Sequence, residues 1–212
     1  MNAFARLLLC TALSGLALGA QARTFEVSDF AELDDAVIEA EDGDEIVIKK
    51  GVYELEAPLE IFSRVTVRGE QGAVIDAGGR GSGFIVRVPK VRIENLTVRN
   101  YGGDLYARDA GVMVGDGADG TELVNLTLQG PGFGVRADRM NALVVEGCTI
   151  EGDAARHVLD RGDGIFLSYV KNARLNHNSL RNVRDGYYLE NVDAAKAAVE
   201  AIKDNKPILN GA

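Results

Sequence analysis

Between residues 111 and 189 the apolar and polar positions alternate in short runs that return in rows. The rows read Gly111-Val-Met-Val114 to Leu123-Val-Asn-Leu-Thr-Leu128, then Gly134-Val-Arg-Ala137 to Val144-Val-Glu-Gly-Cys-Thr-Ile150, then Gly164-Ile-Phe-Leu167 to Arg174-Leu-Asn-His-Asn-Ser-Leu180. A fourth begins at Gly186-Tyr-Tyr-Leu189, so glycine-to-glycine spacings are 23, 30 and 22 residues. A period of this length is the mark of a solenoid.

Aligned on Val98, Leu128, Ile150 and Leu180, the rows resolve into columns. Two residues back stand Leu96, Leu126, Cys148 and Asn178; five back stand Ile93, Leu123, Val145 and Leu175. Side chains alternate across a strand, so these columns point inward and Thr97, Thr127, Thr149 and Ser179 outward. Counted from the glycines, Val112, Val135, Ile165 and Tyr187 point inward, with Val114, Ala137, Leu167 and Leu189 behind them. Met113, Arg136, Phe166 and Tyr188 then face out. Short parallel strands with tight corners predict an all-β fold, a right-handed single-stranded parallel β-helix. The long row carries an insertion at Asp153–Asp163, and such insertions map to loops on one face, often the binding face.

Upstream, Ile46–Ile48, Val52–Leu55, Leu59–Ile61, Val65–Val67 and Ala73–Ile75 read as further strands, with glycines 69 to 83 at the corners. Before them Phe30, Leu33, Ala36, Val37 and Ala40 recur at helical spacing. Asp29 and Glu32 form a capping-box pair, and Asp42-Gly43 closes the segment. The helix, about 29–42, is predicted to cover the open end of the solenoid. After Leu189 the Ala/Lys-rich stretch 190–212 predicts a C-terminal capping helix ending before Pro207. Its alternative is a degenerate further coil with Ile202 as the last apolar residue.

The first 22 residues stand apart. Arg6, the apolar run Leu7–Leu18 and Ala20-Gln-Ala22 predict a cleavable signal peptide, leaving 23–189 as the β-helix with its cap. No run reaches the roughly 20 apolar residues that spanning a bilayer requires, so an exported, periplasmic protein that does not cross the membrane is expected. Removing the leader takes Cys10, leaving Cys148 alone, and Arg6, leaving 22 basic against 32 acidic residues. That balance argues against nucleic acid as a partner.

The segment Asp44-Glu-Ile-Val-Ile-Lys-Lys-Gly-Val-Tyr53 resembles the opening coil of the pectate-lyase-like superfamily. Asp109-Ala-Gly-Val112, Gly134-Val-Arg-Ala137, Leu159-Asp-Arg-Gly-Asp-Gly-Ile-Phe-Leu167, Arg184-Asp-Gly-Tyr187 and the earlier Ala73-Val-Ile-Asp-Ala-Gly-Gly-Arg-Gly81 together resemble the NosD family. The family usually has Asn where Asp163 stands, and its members are longer than this chain. The resemblance implies a non-enzymatic periplasmic accessory of nitrous oxide reductase maturation. Such a protein would partner an ABC-type ATPase and permease pair and the copper reductase, with copper as the metal handled.

For copper, His157, His177 and Met113 are the outward soft or imidazole ligands, while Met140 lies at a corner and Cys148 in an apolar column. None forms a tight motif, and solvated side chains are the plainer reading. The alternative function is a carbohydrate-binding or polysaccharide-cleaving β-helix with an oligosaccharide ligand. It would use paired carboxylates, for which Asp160, Asp163 and Asp185 are candidates, although Asp-Gly is common corner chemistry. The candidate binding surface is His157, Asp160, Arg161, Asp163, Phe166 and Tyr188. Gly115-Asp-Gly-Ala-Asp-Gly120 lacks a calcium-repeat frame and reads as a turn. Asn95-Leu-Thr97 and Asn125-Leu-Thr127 fit glycosylation acceptors but lie in the repeat and read as structure.

Overall fold

A computed structural model describes residues 21–193 and 206–207. The predicted leader lies outside the described residues apart from Gln21 and Ala22, and so does the stretch predicted as a C-terminal helix apart from residues 190–193 and 206–207.

The chain winds through three parallel sheets in turn, coil upon coil. The first sheet runs from Thr24–Val27 to Arg174–Asn176, the second from Gly51–Glu54 to Lys206–Pro207, and the third from Leu59–Ile61 to Tyr187–Glu190. Every pairing is parallel, and successive coils stack in the predicted register: Val98 opposite Leu128, Leu128 opposite Ile150, Ile150 opposite Leu180. The hand is right-handed, as parallel strands joined by crossovers adopt. The inward columns are buried in one continuous core that includes Leu96, Leu126 and Cys148. Asn178 is buried in the Cys148 column, its Oδ1 accepting from the Cys148 N–H at 2.9 Å and its Nδ2 donating to the Val145 carbonyl at 2.9 Å.

The recurring glycines answer a packing demand. Gly83, Gly111, Gly134 and Gly164 lie at the entries to strands of the third sheet; a Cβ on Gly83, Gly134 or Gly164 would strike Val98, Ile150 or Leu180, and one on Gly111 would strike the Gly134 carbonyl. A side chain and the inward column cannot occupy the same corner. The corner between the first and second sheets instead needs one left-handed residue per coil. Asn95, Asn125, Gly147 and His177 supply it with φ of 58°, 51°, 66° and 55°. Asn125 donates to Asn95 at 3.2 Å, which makes these asparagines a structural ladder.

Helix α1, Phe30–Glu39, seals the N-terminal end with Leu33 and Ala36 buried. Asp29 accepts from the Glu32 N–H at 2.9 Å, and Glu32 reaches back to the Ser28 N–H at 2.7 Å, one residue earlier than a standard capping box. At the other end Lys206–Pro207 pair with Ser179–Leu180, so the chain makes another pass along the second sheet. Pro207 stands opposite Leu180.

Candidate functional site

The insertion at Asp153–Asp163 has a counterpart that the rows beginning at Gly111 conceal. Fourteen residues separate Val98 from Val112 and 15 separate Ile150 from Ile165, whereas 7 suffice from Leu128 to Val135 and from Leu180 to Tyr187. Both enlarged loops leave the corner between the second and third sheets, two coils apart, and they meet over the short corner between them. The Arg156 guanidinium and Pro131 lie where a side chain at Gly103 would go. Backbone stacks on backbone beneath: a Cβ at Gly102, Gly132 or Gly162 would strike the preceding coil.

Between the loops lies a cleft of about 830 Å³ lined by Gly103, Asp104, Leu105, Tyr106, Arg156, Leu159, Asp160 and Arg184. Tyr106 is fully exposed and Leu159 is 67% exposed on its rim. Each loop is internally tied. Asp104 accepts from the Tyr106 and Ala107 N–H groups, both at 2.9 Å, and its own N–H donates to buried Asp109 at 3.0 Å. In the second loop the Arg161 guanidinium folds back onto the carbonyls of Arg156 at 2.7 Å and Ala154 at 3.1 Å. Arg161 therefore braces its own loop. His157 Nδ1 accepts from the Leu159 N–H at 3.3 Å, opening the short 3-10 turn Val158–Asp160.

Next to the cleft, the outer face of the third sheet carries a second, smaller cluster. Met113, Arg136, Phe166 and Tyr188 stand in register there as the sequence pattern predicts. Arg136 faces out yet is only 8% exposed. Its guanidinium lies 4.2 Å from the Phe166 ring centre and 5.0 Å from that of Phe133, and it donates to Asp138 at 2.9 and 3.2 Å. Phe166 and Tyr188 stack with centres 4.9 Å apart and planes 3° from parallel. One rung spacing places the rings at stacking distance.

Asp163 and Asp185 occupy matching positions on adjacent rungs, but their environments differ. Asp163 is fully buried, and Arg184 grips it through two bonds, Nε to Oδ1 at 3.0 Å and Nη2 to Oδ2 at 2.7 Å. Burial pushes its carboxyl up and Arg184 pulls it back. Asp185 is exposed, 3.8 Å from the Arg184 Nε. Of the candidate acid trio, then, Asp163 is held in an ion pair, and Asp160 alone lines the cleft.

The copper candidates do not converge. His157 sits in the second loop, His177 at the opposite corner between the first and second sheets, and Met113 on the third-sheet face. Met140 and Cys148 are buried in the core, and burial pushes the Cys148 thiol up to about 11, which withholds the thiolate that metals bind. Among the described residues no group of three or more His, Cys, Asp or Glu is arranged to hold a metal ion. No helix among them is long and apolar enough to cross a membrane.

Three parallel sheets wound into coils define a parallel β-helix protein. The structure of the PL6 family alginate lyase AlyGC shares this fold, with a TM-score of 0.53 at 18% identity over 83% of this chain and 29% of that one. In sequence the chain is similar to NosD. It is 39% identical over 137 residues to the "Probable ABC transporter binding protein NosD" of Stutzerimonas stutzeri and 36% identical over 136 residues to that of Pseudomonas aeruginosa. The matches cover 65% and 64% of this chain but 30% of each relative, so the matched segment spans under a third of those proteins. No family model matches the chain.

The sequence pattern missed the Gly103–Tyr106 wall, Arg156, Leu159 and the Arg136–Asp138 pair. The spacing from Val98 to Val112 was the available signal, since it equals that of the recognised insertion within one residue.

Proposed function

We propose that this chain is a periplasmic β-helical accessory of nitrous oxide reductase assembly that works by binding, docking a protein partner of the ABC-transporter kind in the cleft between its two loops. Its similarity to proteins named as ABC transporter binding proteins supports the class of role. One observation on the molecule carries the mode of action: exposed Tyr106 and Leu159 stand beside Arg156 and Arg184 on two braced loops. Tyrosine and arginine on a rigid support are the residues that concentrate energy in protein interfaces. Two buried carboxylates, Asp138 and Asp163, are each gripped by an arginine, and a third, Asp109, accepts from the Asp104 N–H, which suits support of a surface better than proton exchange with a substrate. In this reading copper is handled by the assembled complex and is not ligated by His157, His177 and Met113.

The test is the double variant Tyr106→Ser/Leu159→Ser, expressed in cells that lack their own NosD, with co-purification of the permease–ATPase pair and the copper content of the reductase as readouts. The parent chain is expected to support both and the variant to lose both. Equal behaviour of parent and variant overturns the cleft as the docking surface. Sub-micromolar Cu(I) binding that disappears when His157 or His177 is replaced would instead make copper a direct ligand, and turnover of an oligosaccharide would overturn the non-enzymatic reading.

A further inference from the structure

The N-terminal end of the third sheet presents a different surface. Its first strand, Leu59–Ile61, pairs on one side with Phe84–Val86, and among the described residues no strand pairs on its other side. The Leu59 N–H donates to the Gly83 carbonyl and the Ile61 carbonyl accepts from the Arg87 N–H, so in a parallel ladder the intervening Glu60 turns its N–H and carbonyl to the open edge. Helix α1 packs beside this strand. Between them runs a groove of about 430 Å³ lined by Asp34, Val37 and Ile38 of the helix and Pro58, Leu59, Glu60, Phe62 and Ser63 of the strand segment.

Two properties of the groove point to its occupant. Ile38 is 73% exposed and Phe62 is 65% exposed, and both project into the same groove. The helix beside them is acidic: α1 carries Glu32, Asp34, Asp35 and Glu39 and no basic residue. Glu60 is paired with Arg87, whereas among the described residues the Asp34 carboxylate has no hydrogen-bond or ion-pair partner. An unpaired strand edge between apolar side chains is the geometry of strand addition, in which main-chain bonds give affinity and side-chain pockets give selectivity.

We infer that the groove between α1 and Leu59–Ile61 receives an extended segment of a partner polypeptide, apolar at alternate positions and basic between them, which adds to the third sheet as an outer strand. The strand offers three residues, so the added contact spans roughly 10 Å of extended chain. Apolar side chains on one face of the segment cover Ile38 and Phe62, and its basic residues meet Asp34. This surface lies at the capped end of the solenoid, away from the two-loop cleft, and the inference stands apart from the docking role proposed for that cleft.

The probe is a fluorescein-labelled nine-residue peptide of alternating valine and lysine, followed by fluorescence anisotropy with the full chain. Saturable binding is expected, weakened about tenfold in Ile38→Ser/Phe62→Ser. Methylating alternate backbone nitrogens of the peptide, or replacing its lysines by glutamate, should weaken it similarly. Tyr106→Ser/Leu159→Ser should bind as the parent does. Ile38 and Phe62 are exposed, so their substitution leaves the core intact, and far-UV circular dichroism checks that. No saturable binding, equal binding by Ile38→Ser/Phe62→Ser, indifference to backbone methylation, or loss through the Tyr106/Leu159 variant would each overturn the inference. So would concentration-dependent dimerisation abolished by Ile38→Ser/Phe62→Ser, which would make a second copy the occupant.

Discussion

Gly134 and Gly186 hold the same place in their coils, yet a Cβ at Gly134 would strike Ile150 and the Gly164 carbonyl while one at Gly186 meets nothing within 4 Å among the described residues. Gly134→Ala should therefore lower stability by about 2 kcal/mol or more through overpacking, and Gly186→Ala by well under about 1 kcal/mol, as read by urea unfolding. Tyr101 poses the opposite case. Its ring is fully buried against Gly111 and Gly130, and its hydroxyl has no hydrogen-bond partner among the described residues. Tyr101→Phe should leave stability unchanged or raise it by up to about 1 kcal/mol, because a buried unpaired hydroxyl opposes folding. At this scale much was legible: glycine at each row start marked the corners, although the sequence could not tell which inward side chain forbade a Cβ there.

Among elements, the N-terminal coil hangs on Asp44. Its carboxylate accepts from the Arg23 backbone at 2.7 Å, from the Arg23 guanidinium at 2.7 and 3.0 Å and from the Glu41 N–H at 2.9 Å. These donors, Arg23 foremost, lower its pKa from 3.8 to about 2. A lowered pKa contributes stability that is present above the ordinary carboxyl value and is lost as pH falls from about 4 to about 2. Asp44→Asn should remove that acid-sensitive component, visible as a shallower fall in melting temperature across the window. Asp163 has the other sign, since burial raises its pKa and ionisation costs stability as pH rises past the ordinary carboxyl range. Arg184 offsets that cost. Arg184→Met should destabilise the chain by about 3–5 kcal/mol at pH 7, and the loss should shrink on acidification as the stranded carboxyl takes up a proton. The α1 cap was legible from its period and capping residues, whereas the Lys206–Pro207 pairing was not, because a two-residue strand leaves no pattern.

For the whole molecule, a stack in which each coil touches chiefly its neighbours makes stability local. Leu33→Ala, at a fully buried contact of α1, should cost about 2–5 kcal/mol. The loss should appear first at the capped end, with amide exchange at Glu45–Ile48 rising ahead of that at Ala110–Val114. The sequence by itself determined the parallel β-helix, its register and its inward columns. Stacked rungs place like on like, so a period read along the chain becomes a column in space. It also set the outward order Met113, Arg136, Phe166, Tyr188. Tertiary structure alone decided what those residues became: Arg136 turned outward and was then covered between two rings, Asp163 was drawn from a corner turn into an ion pair, and His177 was fixed as a left-handed corner residue away from His157. The cleft is of the same kind. Two insertions in coils that are not adjacent in sequence form one site only because winding brings them over the same corner, and no local pattern records which loops will meet.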